Sequence, residues 1–192
     1  MQGLRRKTAL LDLELTKLAV DIVTLQDTRL TGSGSITDQH YSFFWSGKAE
    51  AEHRIHGVGF AVANKLLKDH LVDTPVGISE RIMQMKINCA ATPVHLIIVY
   101  APTLSSEDDV KDVFYDTLNA VLSRIPPDDY AALLGDFNAR VGANHAAWTD
   151  IIGLYGIGTM NKNGQRVLEL CSQHGICIAN TWFKQKVYRR VS

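Results

Sequence analysis

The segment Leu133-Leu134-Gly135-Asp136-Phe137-Asn138 places a carboxylate and an amide two residues apart at the end of an apolar run. Read as a strand, the run delivers both side chains to one face, because residues i and i+2 of a strand point the same way. An anion beside a neutral donor and acceptor suits a hard cation and a phosphate better than it suits a core. Two other apolar runs end in related residues, Gln26-Asp27-Thr28-Arg29 and Tyr100-Ala101-Pro102-Thr103. Sites commonly form at strand ends and on the loops that follow them. In this reading Asp27 holds a metal ion and Asp136 orients or deprotonates a water. Asn138 donates to a phosphate oxygen, and the Tyr100 hydroxyl supports developing charge or the leaving group. Carboxylates converging in one cleft repel unless a cation lies between them. Magnesium takes few carboxylates and keeps several waters, so it fits that donor set.

Each of these residues also has a plain structural reading. An Asp after a strand is most often a turn former or a helix cap. A Tyr before Pro is often a half-buried structural ring. Asp-x-Asn makes ordinary Asx turns, and Asn163 reads as the N-cap of the helix that follows it. His56, His95 and His145 have no metal-ligand spacing. His95, inside an apolar strand, reads as solvent-facing or as a satisfied core residue.

The elements that must position these groups follow from periodicity. Residues 8–20 carry Leu10, Leu11, Leu15, Leu18 and Ala19 at helical spacing. Strands are expected at 21–26, 41–45, 57–63, 81–87, 94–100 and 130–134, with a loop at 31–35. Ser105 or Ser106 is expected to cap a helix over 107–124, whose acidic first turn suits the helix dipole. A last helix is expected over 164–174, ended by Gly175, before a final strand at 176–180. Successive strands imply antiparallel pairs, and helical crossovers imply helices on sheet faces. The expected fold is α/β, two packed mixed sheets with outer helices.

A chain of 192 residues fits one domain with a sizeable core, here residues 1–192. Lys+Arg equals Asp+Glu at 20 each, which excludes a strongly basic nucleic-acid footprint at the level of the whole chain. Cys89, Cys171 and Cys177 read as reduced core residues of an intracellular protein. No apolar run reaches membrane-spanning length, and no signal-peptide core follows the basic start. A nuclear or cytoplasmic location is expected, with no membrane partner.

Several segments together resemble the endonuclease/exonuclease/phosphatase superfamily. Residues 20–29 resemble its strand ending in Gln-Glu-Thr, Val99-Tyr100-Ala101-Pro102-Thr103 its Tyr-Ala-Pro segment, and Leu134-Gly135-Asp136-Phe137-Asn138 its Gly-Asp-Phe-Asn signature. Asn161-Lys162-Asn163-Gly164 with its helix, followed by Ile178-Ala179-Asn180-Thr181-Trp182-Phe183, is similar to a stretch of retrotransposon endonucleases. Within the superfamily the chain resembles the craniofacial development protein 2-like group, endonuclease domains related to those of non-LTR retrotransposons. The likeness runs over residues 8–183. It implies a four-layer, deoxyribonuclease-like α/β sandwich that hydrolyses phosphodiester bonds of DNA with Mg2+, or Mn2+. It also implies roles by position: Asp27 in place of the metal-binding Glu, Tyr100 as the active-site Tyr, Asp136 and Asn138 as the water-orienting pair.

The departures set a second expectation. Asp27 is one methylene shorter than the Glu it replaces. Residues 1–6 hold no counterpart of the family's first strand, and residues 184–192 supply no Asp-His pair. The match is to a fold incomplete at both termini. Removing one preorganised group of such a mechanism costs a factor of about 100 to 1,000 in rate. The alternative to a DNA endonuclease is therefore a degenerate, non-catalytic scaffold or interaction domain.

Overall fold

The computed structural model describes residues 2–49 and 56–186. Of the stretch 184–192 read above for an Asp-His pair, residues 187–192 lie outside them. The chain divides into two compact units, Met1–Tyr100 with Pro126–Gly135, and Ala101–Ile125 with Asp136–Ser192.

The first unit begins with helix α1 (Gln2–Leu18) and strands β1 (Ile22–Gln26), β2 (Ser33–Thr37), β3 (Tyr41–Ser46) and β4 (Val58–Ala63). A short helix α2 (Asn64–Lys68) leads to β5 (Val76–Gly77), β6 (Ile82–Ile87) and β7 (Val94–Tyr100), and β8 (Tyr130–Asp136) returns after an excursion. The strands form two four-stranded sheets, ordered β1-β4-β3-β2 and β5-β6-β7-β8. The first sheet is antiparallel throughout, not mixed as expected, because β1 to β4 follow one another without a helical crossover. Val58, Phe60 and Val62 of β4 face Met83 and Met85 of β6 and Leu96 and Ile98 of β7 in one core. Ala61 and Ala63, on the other face of β4, pack with Tyr41, Phe43 and Leu15 of α1. Both faces of β4 are thus covered, which is why its sequence is apolar at every position. Truncating the fully buried Phe60 to Ala is expected to cost about 3–5 kcal/mol.

Helix α1 is anchored by a charge that sequence reading passed over. Asp12 is only 3% exposed and accepts from the His40 N–H (2.9 Å), the Tyr41 N–H (2.7 Å) and His40 Nδ1 (2.8 Å). Burial alone would raise its pKa, but the bonds from His40 and Tyr41 prevail and hold it below the ordinary value. Residues 31–35, expected as a loop, belong largely to β2. Its Ser-Gly-Ser run is small because a Cβ at Gly34 would lie 2.4 Å from the Trp45 ring. A strand selected for room beneath an indole shows no apolar alternation.

The second unit holds helices α3 (Asp108–Leu122) and α4 (Lys162–His174) and a 3-10 turn (Ala179–Thr181). The helices meet through Arg166 and Asp112 (2.5 Å) and through His174 Nε2 and Asn119 Oδ1 (2.6 Å). Neither Ser105 nor Ser106 caps α3: Glu107 occupies the cap without a side-chain bond, and both hydroxyls pair with Thr103 Oγ1. Gly175 ends α4 at φ +62° as expected. The strand expected at 176–180 reduces to one parallel bridge, Ile152 to Ile178. The chain curls there because Thr181 Oγ1 accepts from the Gly153 N–H (2.8 Å) and donates to the Ile178 carbonyl (2.6 Å). Of the three cysteines only Cys171 is a core residue; Cys89 and Cys177 are exposed. Burial pushes the Cys171 thiol up to about 11. No described helix is long and apolar enough to cross a membrane.

Candidate active site

Asp27 and Tyr100 belong to the first unit, at the ends of β1 and β7. The backbone turns sharply after β1: Asp27 and Arg29 have φ of +50° and +54°, and the Thr28 N–H donates to the Gly57 carbonyl (3.0 Å). The turn folds Arg29 back onto Asp27. Its Nη2 reaches Asp27 Oδ2 at 3.0 Å, and its Nε lies 3.2 and 3.3 Å from the two carboxylate oxygens. Asp27 raises the Arg29 pKa through this bond and through its charge.

Tyr100 is held from behind. Its N–H donates to the Arg81 carbonyl (2.9 Å), and Arg81 Nη1 donates to the Tyr100 carbonyl (3.0 Å). The Arg81 guanidinium lies 5.9 Å from the Tyr100 ring centre, within cation–π range. Its Nη2 is 2.7 Å from His56 Nε2, and the His56 ring meets Tyr100 edge-on at 6.0 Å. Burial lowers the His56 pKa, and the Arg81 charge lowers it further. A neutral His56 accepts from Arg81 at Nε2, which puts its own proton on Nδ1. That nitrogen is buried without a partner. Sequence reading set His56 aside for want of ligand spacing; it becomes legible only through its contacts with residues 25 and 44 positions away.

Asp136 and Asn138 belong to the second unit. Asp136 is the last residue of β8, and Asn138 lies beyond it at φ +48°. The strand alternation expected to align the pair therefore stops short of Asn138. An Asx turn aligns them instead, the Asn138 N–H donating to Asp136 Oδ1 (2.8 Å). Asp136 is exposed, and its other oxygen has no partner among the described residues. One amide hydrogen of Asn138 is committed inward, to the Ala101 carbonyl (2.8 Å), and the second remains available to a ligand. The Ala101 N–H donates to the Asp136 carbonyl (2.9 Å). Gly135, just before the pair, has φ +133°, and a Cβ there would lie 2.1 Å from the Val99 carbonyl oxygen. Only glycine lets β8 pass β7 so closely.

The cap of α4 is Asn161 rather than Asn163. Asn161 Oδ1 accepts from the Gly164 N–H (2.8 Å) and the Arg140 N–H (3.1 Å). Asn163 is 1% exposed and donates to the carbonyls of Pro102 (3.0 Å) and Asn138 (2.9 Å). His95 pairs with Asp129 (2.8 Å), the satisfied reading. His145 Nδ1 binds the Ile152 carbonyl (2.5 Å).

A cation finds a thin donor set here. Among the described residues no three His, Cys, Asp or Glu side chains lie close enough to form a metal cage. Mg2+ does not need one, since it commonly binds through one or two carboxylates plus water and phosphate. Asp27 fits that habit as a single carboxylate, in competition with Arg29. The cleft of about 530 Å3 lined by His40, Tyr41, Asn64 and Lys65 contains none of the four candidates.

No protein-family model matches the chain. It is similar to craniofacial development protein 2 of Bos taurus, 28% identical over 173 residues that cover 90% of this chain and 28% of that protein. The protein of the same name from Tragulus javanicus is 28% identical over 173 residues, covering 90% of this chain and 29% of its own length. The chain thus spans less than a third of these relatives. Among solved structures, AP endonuclease LMAP from Leishmania major superposes with a TM-score of 0.61 at 11% identity, covering 89% of this chain and 62% of that one. The endonuclease domain of TRAS1, a telomere-specific non-LTR retrotransposon, superposes with a TM-score of 0.53 at 16% identity, covering 86% and 65%. These likenesses establish the fold: two packed sheets with helices, endonuclease/exonuclease/phosphatase-like, and partial in length against those structures.

Proposed function

We propose that this chain is a phosphodiester hydrolase domain acting on DNA, of retrotransposon-endonuclease type and dependent on Mg2+ or Mn2+. The observation that carries the reading is the presentation of Asp136: an exposed carboxylate with one oxygen fixed by the Asn138 N–H and the other open. That is the state a general base needs, oriented but unspent. In this reading Asp136 takes a proton from water as the water oxygen bonds to phosphorus. The bond from phosphorus to the leaving sugar oxygen breaks, and the Tyr100 hydroxyl stabilises the charge left on it. Asn138 gives its second amide hydrogen to a phosphate oxygen. Asp27 would hold the metal, which supplies charge neutralisation on the phosphate when bound. A single domain over residues 1–192, working in the nucleus or cytoplasm, goes with this reading.

The test is plasmid nicking by the purified chain with Mg2+ or Mn2+, beside Asp136→Ala. Metal-dependent nicking that the substitution abolishes supports the proposal; its absence at high protein concentration sinks it. A specific observation favours the alternative scaffold reading: Arg29 already neutralises Asp27, and among the described residues no group of three His, Cys, Asp or Glu side chains could hold a metal ion. That reading expects Asp136→Ala to be silent in every assay while truncation of a buried core residue, Phe60→Ala, lowers solubility; Leu134, a core residue by sequence, is exposed.

A further inference from the structure

We propose that Asn163 is a positioning residue: a buried amide clasp that sets the conformation of the loop carrying Asp136 and Asn138. The usual role of an Asn at the start of a helix is to cap it, but Asn161 already caps α4. Asn163 faces inward and uses both amide hydrogens on backbone carbonyls of two separate segments, Pro102 and Asn138. Its own Oδ1 is buried without a partner. Leaving its own acceptor unpaired works against stability, whereas the two bonds it donates satisfy carbonyls that lose this donor with any apolar side chain. What the amide contributes is direction. Its bond fixes the Asn138 carbonyl in the left-handed conformation, φ +48°, that an ordinary residue leaves readily.

The rest of the Asn-Lys-Asn-Gly motif tightens the same hold. The Asn161 N–H donates to the Arg140 carbonyl (3.0 Å), and Asn161 Oδ1 receives the Arg140 N–H. At Gly164 a Cβ would fall 1.8 Å from the Arg140 oxygen, so the first turn of α4 lies against the loop backbone itself. A closed circuit results. Asn163 holds the Asn138 carbonyl, the Asn138 side chain holds Ala101, the Ala101 N–H holds Asp136, and Asp136 Oδ1 takes the Asn138 N–H.

The test uses the whole chain and two substitutions, Asn163→Leu and Asn163→Asp. Leu fills the volume but removes both amide donors along with the orphan acceptor; Asp keeps the shape but turns a carboxylate toward two carbonyls. Amide hydrogen exchange at Asn138 and Arg140 is read beside the melting temperature. The clasp predicts exchange at both amides in Asn163→Leu about tenfold faster than any fall in melting temperature accounts for, the factor given by losing one ordinary hydrogen bond. Asn163→Asp is expected to lose the same protection near neutral pH and to regain part of it in acid, measured against the intrinsic exchange rate at each pH, because a protonated carboxyl regains one donor. Unchanged exchange at both amides in folded Asn163→Leu overturns the proposal. So does faster exchange only in proportion to a lowered melting temperature, the mark of a merely structural residue. The effect on turnover rests on the hydrolase reading: kcat for nicking is expected to fall about 100-fold, the cost of roughly 1 Å of misplacement, with KM unchanged. If the parent chain does not nick, that reading fails alone, and exchange still decides the clasp.

Discussion

In the first unit Asp27 and Tyr100 stand among charges: Arg29 grips the carboxylate, and Arg81 braces the tyrosine against a neutral His56. In the second unit Asp136 and Asn138 are held almost wholly by neutral amides and backbone groups. Charged partners are sensitive to salt and pH and can be exchanged for other ions. Amides pointed at carbonyls are indifferent to both, and they specify geometry instead of charge. On the proposed hydrolase reading the difference is a division of labour, with Asp27 free to trade a cationic partner for a metal and the other pair fixed in shape beforehand.

The sharpest way to break that division is at Asp136. Asp136→Ala is expected to lower plasmid nicking by about 1,000-fold, within the range of a lost general base, while costing no more stability than one turn hydrogen bond, about 1 kcal/mol by the urea midpoint. A larger loss of stability instead would make Asp136 a structural turn residue and erase the contrast. Gly135→Ala comes next. Its Cβ meets the Val99 oxygen at 2.1 Å at a φ that β-carbons resist, and about 3 kcal/mol of stability is expected to go, measured by urea unfolding.

A subtler experiment concerns pH. The folded chain keeps His56 neutral below its ordinary value of 6.5, whereas the unfolded chain protonates it there. Stability is therefore complete above pH 6.5 and is lost as pH falls from 6.5 through the depressed folded value. His56→Gln is expected to flatten that slope, seen as a urea midpoint that no longer drops between pH 7 and pH 5. Asp12 follows the same sign in a lower window, its contribution disappearing as pH falls below 3.8. The smallest effect is expected at Arg29. It is exposed, so Arg29→Ala leaves the melting temperature in place, yet it tightens Mg2+ binding several-fold by calorimetry by freeing Asp27. Unchanged binding would mean that Asp27 is not the metal residue.

The pattern of what was legible follows from range. The apolar run of β4 announces itself, since burial on both faces removes every polar position, and so does the buried centre of β7, Leu96 to Val99. The strand ends carrying Asp27, Tyr100 and Asp136 are equally plain. Asn163 was misread because Asn161 and Asn163 are equally good caps in sequence, and only the bond to the Gly164 N–H tells them apart. A signal was available: the glycine next to Asn163, unexplained inside a helix, marks a close backbone approach. His56, Arg81 and Asp12 were out of reach, because each takes its meaning from a partner at least 19 residues away. Short-range patterns report burial, whereas orientation is fixed by contacts that sequence spacing does not encode.

The placement of the three thiols has a practical corollary. Cys89 is exposed on the first unit and Cys177 on the second, while Cys171 is shielded and its thiol is slow to ionise near neutral pH. The natural chain therefore offers one chemical handle per unit, ready for a donor and an acceptor dye without engineering. Energy transfer between them would turn the chain into a ruler, read in solution as Mg2+ and DNA are added.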